Sequence, residues 1–467
     1  MESRFDAKRL FKDVKWKPLG KAQWFVINFF IALSTALFLY EDGMTQAMQN
    51  TIFVLIFAIG LWLTEAIPPY VVGVMTIISL VWLLGSDMFI DTPIDTTSYT
   101  QTWASPIIFL MLGGFFLAEG LKQTHLDKKL FSLSIGLFGK APSMVLLGLM
   151  ITTGVLSMIM SNTATTAMMI AAVLPFLKGL DEKEPLRKSL LLGIPAAASV
   201  GGMGTIIGTP PNAIAVQFLE SEGIGIDFVQ WMLYGFPIAI IFIFFFWFVL
   251  KSLFKTNIKE VVLDLDEVTE FSSKDKQLRL IMMLTLGATV LMWLTSPIHG
   301  IGAASVASIP ILALSVSGII GAKEFRQLPW ETLALVAGGL SLGAAIMDTG
   351  LANFYLDRIT IDPNEYQLLF FVVFAYLTVI LSNIMSNTAT SSILIPLACA
   401  MFPERALETS LIVGLSASCA LLLPVSTPPN AIAYASGMLE QKDFRLGGVV
   451  IGITGPLIII AWILVIV

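Results

Sequence analysis

The sequence predicts an all-α polytopic membrane protein of about eleven transmembrane helices plus two re-entrant hairpins, built as two inverted repeats. Three observations predict it. The 467 residues are 56% hydrophobic and 13% charged, against about 25% charged in soluble domains. The apolar residues fall into successive runs of near bilayer length. A charge-free pentapeptide inside one such run, Ser161-Asn162-Thr163-Ala164-Thr165, returns inside another as Ser386-Asn387-Thr388-Ala389-Thr390.

A membrane barrel is excluded, because its strands would read as weak segments of about ten alternating residues. The net charge of -6 carries little, since orientation follows where Lys and Arg lie rather than their sum. Cys399 and Cys419 both fall in apolar runs and read as packed small hydrophobes. His125 and His299 lie far apart near segment ends and make no metal pair. No short apolar core follows Met1 directly, so the start is not a cleavable signal peptide.

Residues 1–22 are basic and amphipathic. Leu10, Phe11, Val14 and Trp16 interleave with Lys8, Arg9, Lys12, Lys15 and Lys17, which fits a helix lying on the cytoplasmic leaflet or a solvated tail. Crossings follow near 23–40, 50–67, 70–85 and 105–121. The run 143–177 holds the first pentapeptide near its centre and has 35 residues. Two full crossings of a core about 30 Å thick need roughly 40 residues plus a turn, so a re-entrant hairpin fits better. The span 189–219 contains Gly208-Thr209-Pro210-Pro211-Asn212 and reads as a crossing broken in its middle. A crossing at 228–250 ends the first half, and a charged linker, 251–279, leads to the second.

The second half repeats the order: crossings near 280–296, 300–320 and 331–347, a hairpin at 366–400, a broken crossing at 407–437 around Ser426-Thr427-Pro428-Pro429-Asn430, and a last crossing at 447–467. Leu61-Trp62-Leu63-Thr64 matches Met292-Trp293-Leu294-Thr295. The pairs Gly113-Gly114 and Gly338-Gly339 are displaced by 225 residues, as are the pentapeptides. With the N-terminus in the cytoplasm and eleven crossings, the tail and loops 122–142, 178–188, 251–279, 321–327 and 438–446 face inside. They hold every Lys and Arg except Arg358 and Arg405, 25 of 27. That bias fixes the orientation, puts the C-terminus outside and inverts the second half relative to the first. Trp24, Trp62, Trp82, Trp103 and Trp231 read as interface-belt or packing residues.

The polar islands contain no ionisable group. Asn offers an amide donor and acceptor, Ser and Thr offer hydroxyls, and the prolines leave upstream carbonyls without helical partners. Half-helix N-termini favour anions, and free carbonyls with side-chain oxygens favour a hard cation such as Na+. Coupling to protons would need Asp, Glu or His at depth. Glu65, Glu119, Glu331 and Asp348 instead lie near segment ends and read as interfacial or loop-facing. Interhelical hydrogen bonding could explain one Ser-Asn-Thr, but not two copies each partnered by a Thr-Pro-Pro-Asn break. No nucleophile–base pair or metal-ligand set points to an enzyme, and no feature points to nucleic acid.

These paired motifs resemble the divalent anion/sodium symporter family, with its INDY-type dicarboxylate transporters, over nearly the whole chain. The resemblance implies a homodimer whose protomers split into a scaffold and a mobile transport domain working as an elevator. Here that divides the chain into scaffold segments 23–137 and 280–360 and transport segments 138–250 and 361–467. It implies one Na+ site at Ser157, Ser161, Asn162 and Gly208, and a second at Ser382, Met385 by its carbonyl, Asn387 and Ser426. It implies that substrate carboxylates meet Asn162, Thr163, Asn387 and Thr388, with Thr209, Pro210, Thr427 and Pro428 lining the site. The family often has Phe at Leu421 and a residue smaller than Ser426, and these departures leave the substrate open. The expectation is a bacterial inner-membrane importer of succinate, fumarate or malate with several Na+. A Na+-independent exchanger and a citrate or sulfate symporter are its alternatives.

Overall fold

Among the described residues, each half of the chain runs through one order of helices, with one further helix, α1 (Lys21–Phe38), before the first. The computed structural model describes residues 19–261, 273–356, 358 and 366–467. The basic segment expected to lie on the leaflet falls outside these up to residue 18, as does 262–272 of the charged linker.

The first half contains α2 (Gln46–Thr64), α3 (Pro69–Gly85), α4 (Pro106–Gln123), α5 (Leu126–Phe138), α6 (Pro142–Ser157), α7 (Asn162–Lys178), α8 (Pro185–Gly201), α9 (Pro210–Ser221) and α10 (Phe228–Leu253). The second contains α11 (Ser273–Leu294), α12 (Ala303–Val316), α13 (Trp330–Asp348), α14 (Leu351–Leu356), α15 (Gln367–Ser382), α16 (Asn387–Met401), α17 (Ala406–Ser416), α18 (Pro428–Ala435) and α19 (Arg445–Ile466). Among the described residues there is no strand.

Among the described residues, seven helices are long and apolar enough to cross a membrane. They are α1, α2, α4 with the turn before it, α10, α11, α13 and α19 with the turn before it. The other expected crossings are shorter helices, α3 and α12, and the two broken pairs α8/α9 and α17/α18. Proline opens α3, α4, α6, α8, α9 and α18, where its missing N–H costs no helical bond. The expected loop at 122–142 is corrected: most of it is α5. Its mixed run Leu126-Asp127-Lys128-Lys129-Leu130 hides a helix from a search for apolar spans.

The halves interlock through glycine. A Cβ on Gly338 of α13 would lie 2.3 Å from the Gly73 Cα of α3, and one on Gly113 of α4 would lie 2.6 Å from the Ala307 Cβ of α12. Each half thus lends its short helix to the other half's glycine-bearing helix, the close small-residue contact that packs helices where burial alone supplies no drive. Phe228 and Trp293 stack across the halves at 4.8 Å. The breaks are exchanged in the same way. Helix α9, after the first Thr-Pro-Pro-Asn, packs on α16 and α17, while α18, after the second, packs on α7 and α8. Cys399 and Cys419 are buried and free, as expected of packed small residues.

Gly338→Ala places a methyl against a backbone that cannot yield, an overpacking cost of about 1–3 kcal/mol. A lowered thermal midpoint in detergent is expected, with no change for Gly287→Ala, where a Cβ meets nothing within 4 Å.

Candidate functional site

The site starts from the two broken helices. Beyond α8 the chain passes through a short 3-10 turn at Gly202–Gly204 and is extended at Thr205 and Thr209. Pro210 and Pro211 bring no amide donors to this stretch. The stranded carbonyls find side chains instead. Asn212 Nδ2 donates to Gly202 O at 2.9 Å and to Thr205 O at 2.8 Å, and the Trp231 indole donates to Met203 O at 3.0 Å. Trp231, read as a belt or packing residue, is fully buried at the break. In the second half Asn430 Nδ2 donates to Leu423 O at 3.0 Å and Leu421 O at 3.4 Å.

The hairpin tips sit against these breaks. Helix α6 ends at Ser157, the chain turns through 158–160, and Ser161 caps α7 by accepting from Ala164 N at 3.2 Å. Ser386 caps α16 in the same way at 3.1 Å. A serine at this position satisfies one of the free amides of a helix start. Asn162 and Asn387 therefore occupy the first turn of a helix whose positive end faces the tip.

At the first tip Ser157 Oγ lies 2.5 Å from Asn162 Oδ1 and 2.8 Å from Ala198 O. One hydroxyl proton faces two acceptor oxygens. Gly208 O joins them: a Cβ on Gly202 would lie 2.7 Å from Asn162 Oδ1 and 3.1 Å from Gly208 O. So Ser157, Asn162 and Gly208 converge, with Gly202 bare between them, and such a cluster of uncharged oxygens suits a hard cation.

At the second tip Ser382 Oγ and Asn387 Oδ1 are buried without a partner, as are the hydroxyls of Ser416 and Ser418 on the adjoining break. Unmet acceptors of this kind also fit a small cation. Ser426 is engaged otherwise: its hydroxyl donates to Asn383 Oδ1 at 2.7 Å and accepts from Leu423 N at 3.0 Å. Met385, just before Ser386 in the chain, is buried. Of the expected lining residues, Thr209 and Thr427 are buried, Pro210 is half-buried and Pro428 is exposed.

The two tips differ in exposure. Thr163, Ala164 and Ala167 are exposed, whereas the matching Thr388, Ala389 and Ser392 are buried. A cavity of about 750 Å³ opens beside Ala164 and Ala167. It lies between α7 and the α4–α5 turn, lined by Ser161, Ala164, Glu119, Lys122, Lys128 and Gln327 among others. In the second half that space is closed, since a Cβ on Gly339 of α13 would meet Ser392 Oγ at 1.9 Å. Glu119 pairs with Lys122 at 3.2 Å. Burial pushes the Asp127 carboxyl on the cavity wall above its usual range, against the Lys128 amide, which lowers it.

Sequence reasoning missed Asn383, Thr205 and the stapling role of Asn212 and Asn430. The asparagines stood inside the Thr-Pro-Pro-Asn motif and could have been assigned by asking where the carbonyls freed by proline go. Asn383 left one signal, a carboxamide in an apolar run beside Ser382. A search for identity between the halves passes over it, because the matching residue is Met158.

Comparison with known proteins follows the same lines. The model of a family described as "Citrate transporter" matches residues 59–413. The chain is 28% identical to the sodium-dependent dicarboxylate transporter SdcS of Staphylococcus aureus strain USA300, and 29% identical to that of strain MRSA252. Both alignments cover 96% of this chain and 92% of the relative. Among solved structures, the YdaH transporter of Alcanivorax borkumensis matches with a TM-score of 0.56 at 13% identity, over 85% of this chain and 97% of that one. At that identity the likeness shows the fold.

Asn212→Asp turns the stapling donor into an acceptor facing two carbonyls. Loss of a buried hydrogen bond costs about 1–3 kcal/mol, more with charge. A thermal midpoint lower than that of Asn212→Ala is the expected reading.

Proposed function

The chain belongs to the citrate transporter family, and from that membership we propose that it imports C4-dicarboxylates, succinate, fumarate or malate, by symport with several Na+ ions. It is a multi-pass membrane transporter and not an enzyme. The observation that carries the proposal is the pairing of two neutral oxygen clusters with two helix starts at the same tips. Each cluster can take Na+, and each helix start can take a carboxylate. The staphylococcal relative, a sodium-dependent dicarboxylate transporter by name, agrees with both halves of the reading.

In this reading Ser157, Ser161, Asn162 and Gly208 hold one Na+, and Ser382, Met385, Asn387 and Ser426 hold another. Asn162, Thr163, Asn387 and Thr388 meet the carboxylates, between walls given by Thr209, Pro210, Thr427 and Pro428. Segments 138–250 and 361–467 move as the transport domain against a scaffold of 23–137 and 280–360, in a homodimer in a bacterial inner membrane. With Lys and Arg marking the cytoplasmic side, the cavity beside Ser161 opens inward, and the closed Gly339–Ser392 contact faces outward. Citrate is the second reading, favoured by the family's description.

Uptake of labelled succinate into proteoliposomes tests the reading. Succinate uptake is expected to collapse when K+ or choline replaces Na+, and undiminished uptake rejects symport. Competition by citrate, sulfate and glutamate separates the substrates. Asn162→Ala and Asn387→Ala each remove a hydrogen bond to a charged ligand, about 1.5–3 kcal/mol. A loss of apparent affinity of roughly ten- to hundred-fold is expected, with weakened Na+ dependence.

A further inference from the structure

We infer that a polar side chain in each repeat ties the hairpin to the unwound stretch of the broken helix, Thr205 in the first and Asn383 in the second, and that these two are positioning residues for the ion sites. The inference rests on the symport reading and adds to it residues that reading does not use.

The two repeats align without a gap over the broken helices, Pro185 on Pro403 through Asn212 on Asn430, a displacement of 218. The hairpins align at a displacement of 225, which sets Met158 on Asn383. In the second repeat the tie comes from the hairpin. Asn383 Oδ1 accepts from Leu422 N at 2.9 Å and from Ser426 Oγ at 2.7 Å, while its Nδ2 donates to Val379 O at 2.7 Å. Three of the four hydrogen-bonding capacities of this buried amide are used, both of those on its oxygen among them. In the first repeat the tie comes from the other side. The Thr205 hydroxyl donates to Met158 O, and the matching Leu423 has no side-chain donor. The Met158 side chain lies against Gly204, where a Cβ would be 2.7 Å from its Cε.

The location is therefore kept and the chemistry exchanged. In both repeats the residue just after the ion-site serine, Ser157 or Ser382, meets the unwound stretch one to five residues before Thr-Pro-Pro. One repeat joins them with a threonine hydroxyl on a carbonyl. The other joins them with an asparagine on an amide and a hydroxyl. Each ion site draws oxygens from both elements, so the tie sets the spacing between them. Asn383 Oδ1 already accepts two bonds, and the Thr205 hydroxyl spends its proton on Met158 O, which fixes it against the hairpin. Their effect is positioning.

The test is Na+ titration of succinate uptake by full-length protein in proteoliposomes, beside Na+-induced thermal stabilisation in detergent without substrate. The variants are Asn383→Leu, Thr205→Val, which keeps the shape and removes the hydroxyl, and Thr205→Ser, which keeps the hydroxyl. Asn383→Leu and Thr205→Val are each expected to raise the half-saturating Na+ about ten-fold. Their succinate KM at saturating Na+ should stay within about two-fold, because saturating ion populates the ordered site. Thr205→Ser is expected to restore the wild-type Na+ curve. A wild-type Na+ curve in Thr205→Val, or a fall only in maximal rate, overturns the inference while leaving symport intact. Should Asn383→Leu not fold, the Thr205 pair decides through both readouts. Wild-type uptake indifferent to Na+ would overturn symport and this inference together.

Discussion

The carbonyls released where two helices break inside the protein dictate the rest of the site. A backbone C=O without a partner in a low-dielectric interior costs on the order of a few kcal/mol. Pro210 and Pro211 in one repeat, and Pro428 and Pro429 in the other, make such carbonyls unavoidable. Asn212 and Asn430 answer by donating to two carbonyls each. Because these asparagines sit one turn into α9 and α18, the staple also fixes where those helices start. The helix start, the unwound stretch and the bare Gly202 then form one unit, with the Gly208 carbonyl left facing the hairpin.

The exchange of α9 and α18 between the halves turns two such units into one region. Helix α9 leans on α16, the arm that begins at Asn387, and α18 leans on α7, the arm that begins at Asn162. Gly414 of α17 lies close enough to α9 that a Cβ would be 3.2 Å from the Ala215 Cβ. A shift of either hairpin therefore presses on the other repeat's break. The exposed Thr163 and the buried Thr388 are two settings of one design, open on the side of α4 and closed on the side of α13.

Much of this was legible in the letters. The all-helical class stands where composition and length put it, and the order of helices repeats between the halves, because membrane spans announce themselves by apolar length. Of the oxygens expected at the first tip, Ser157, Asn162 and Gly208 do converge. What stayed hidden depends on packing across elements. Helix α5 carries too many charges to look like a span. Gly73 and Gly338 are ordinary letters until α3 crosses α13. Asn383 is masked by Met158, since the repeats keep the contact and change its chemistry. His125 is a further case. It adopts a left-handed φ of 54° between α4 and α5, and its counterpart 225 residues on is Gly350, at 73°. The joint demands that conformation in both halves, yet only one half spells it with glycine.

The absence of formal charge at the tips shapes the proposed coupling. Of the carboxylates, Glu65, Glu331 and Asp348 are exposed, and Glu119, paired with Lys122, and Asp127 line the α4–α5 side of the cavity. A dianion placed between Asn162 and Asn387 would meet only amides, hydroxyls and two helix starts. Such dipoles do not offset the desolvation of two negative charges in a low dielectric. Cations held within a few ångströms would, and those cations would in turn find no carboxylate of the protein to hold them. Each ligand supplies the charge the other lacks. By linkage the gain in affinity is shared equally between them, so a protein-borne carboxylate at either tip would hold the cation without substrate and weaken the coupling. Neutral tips are thus what obligatory coupling requires of this fold.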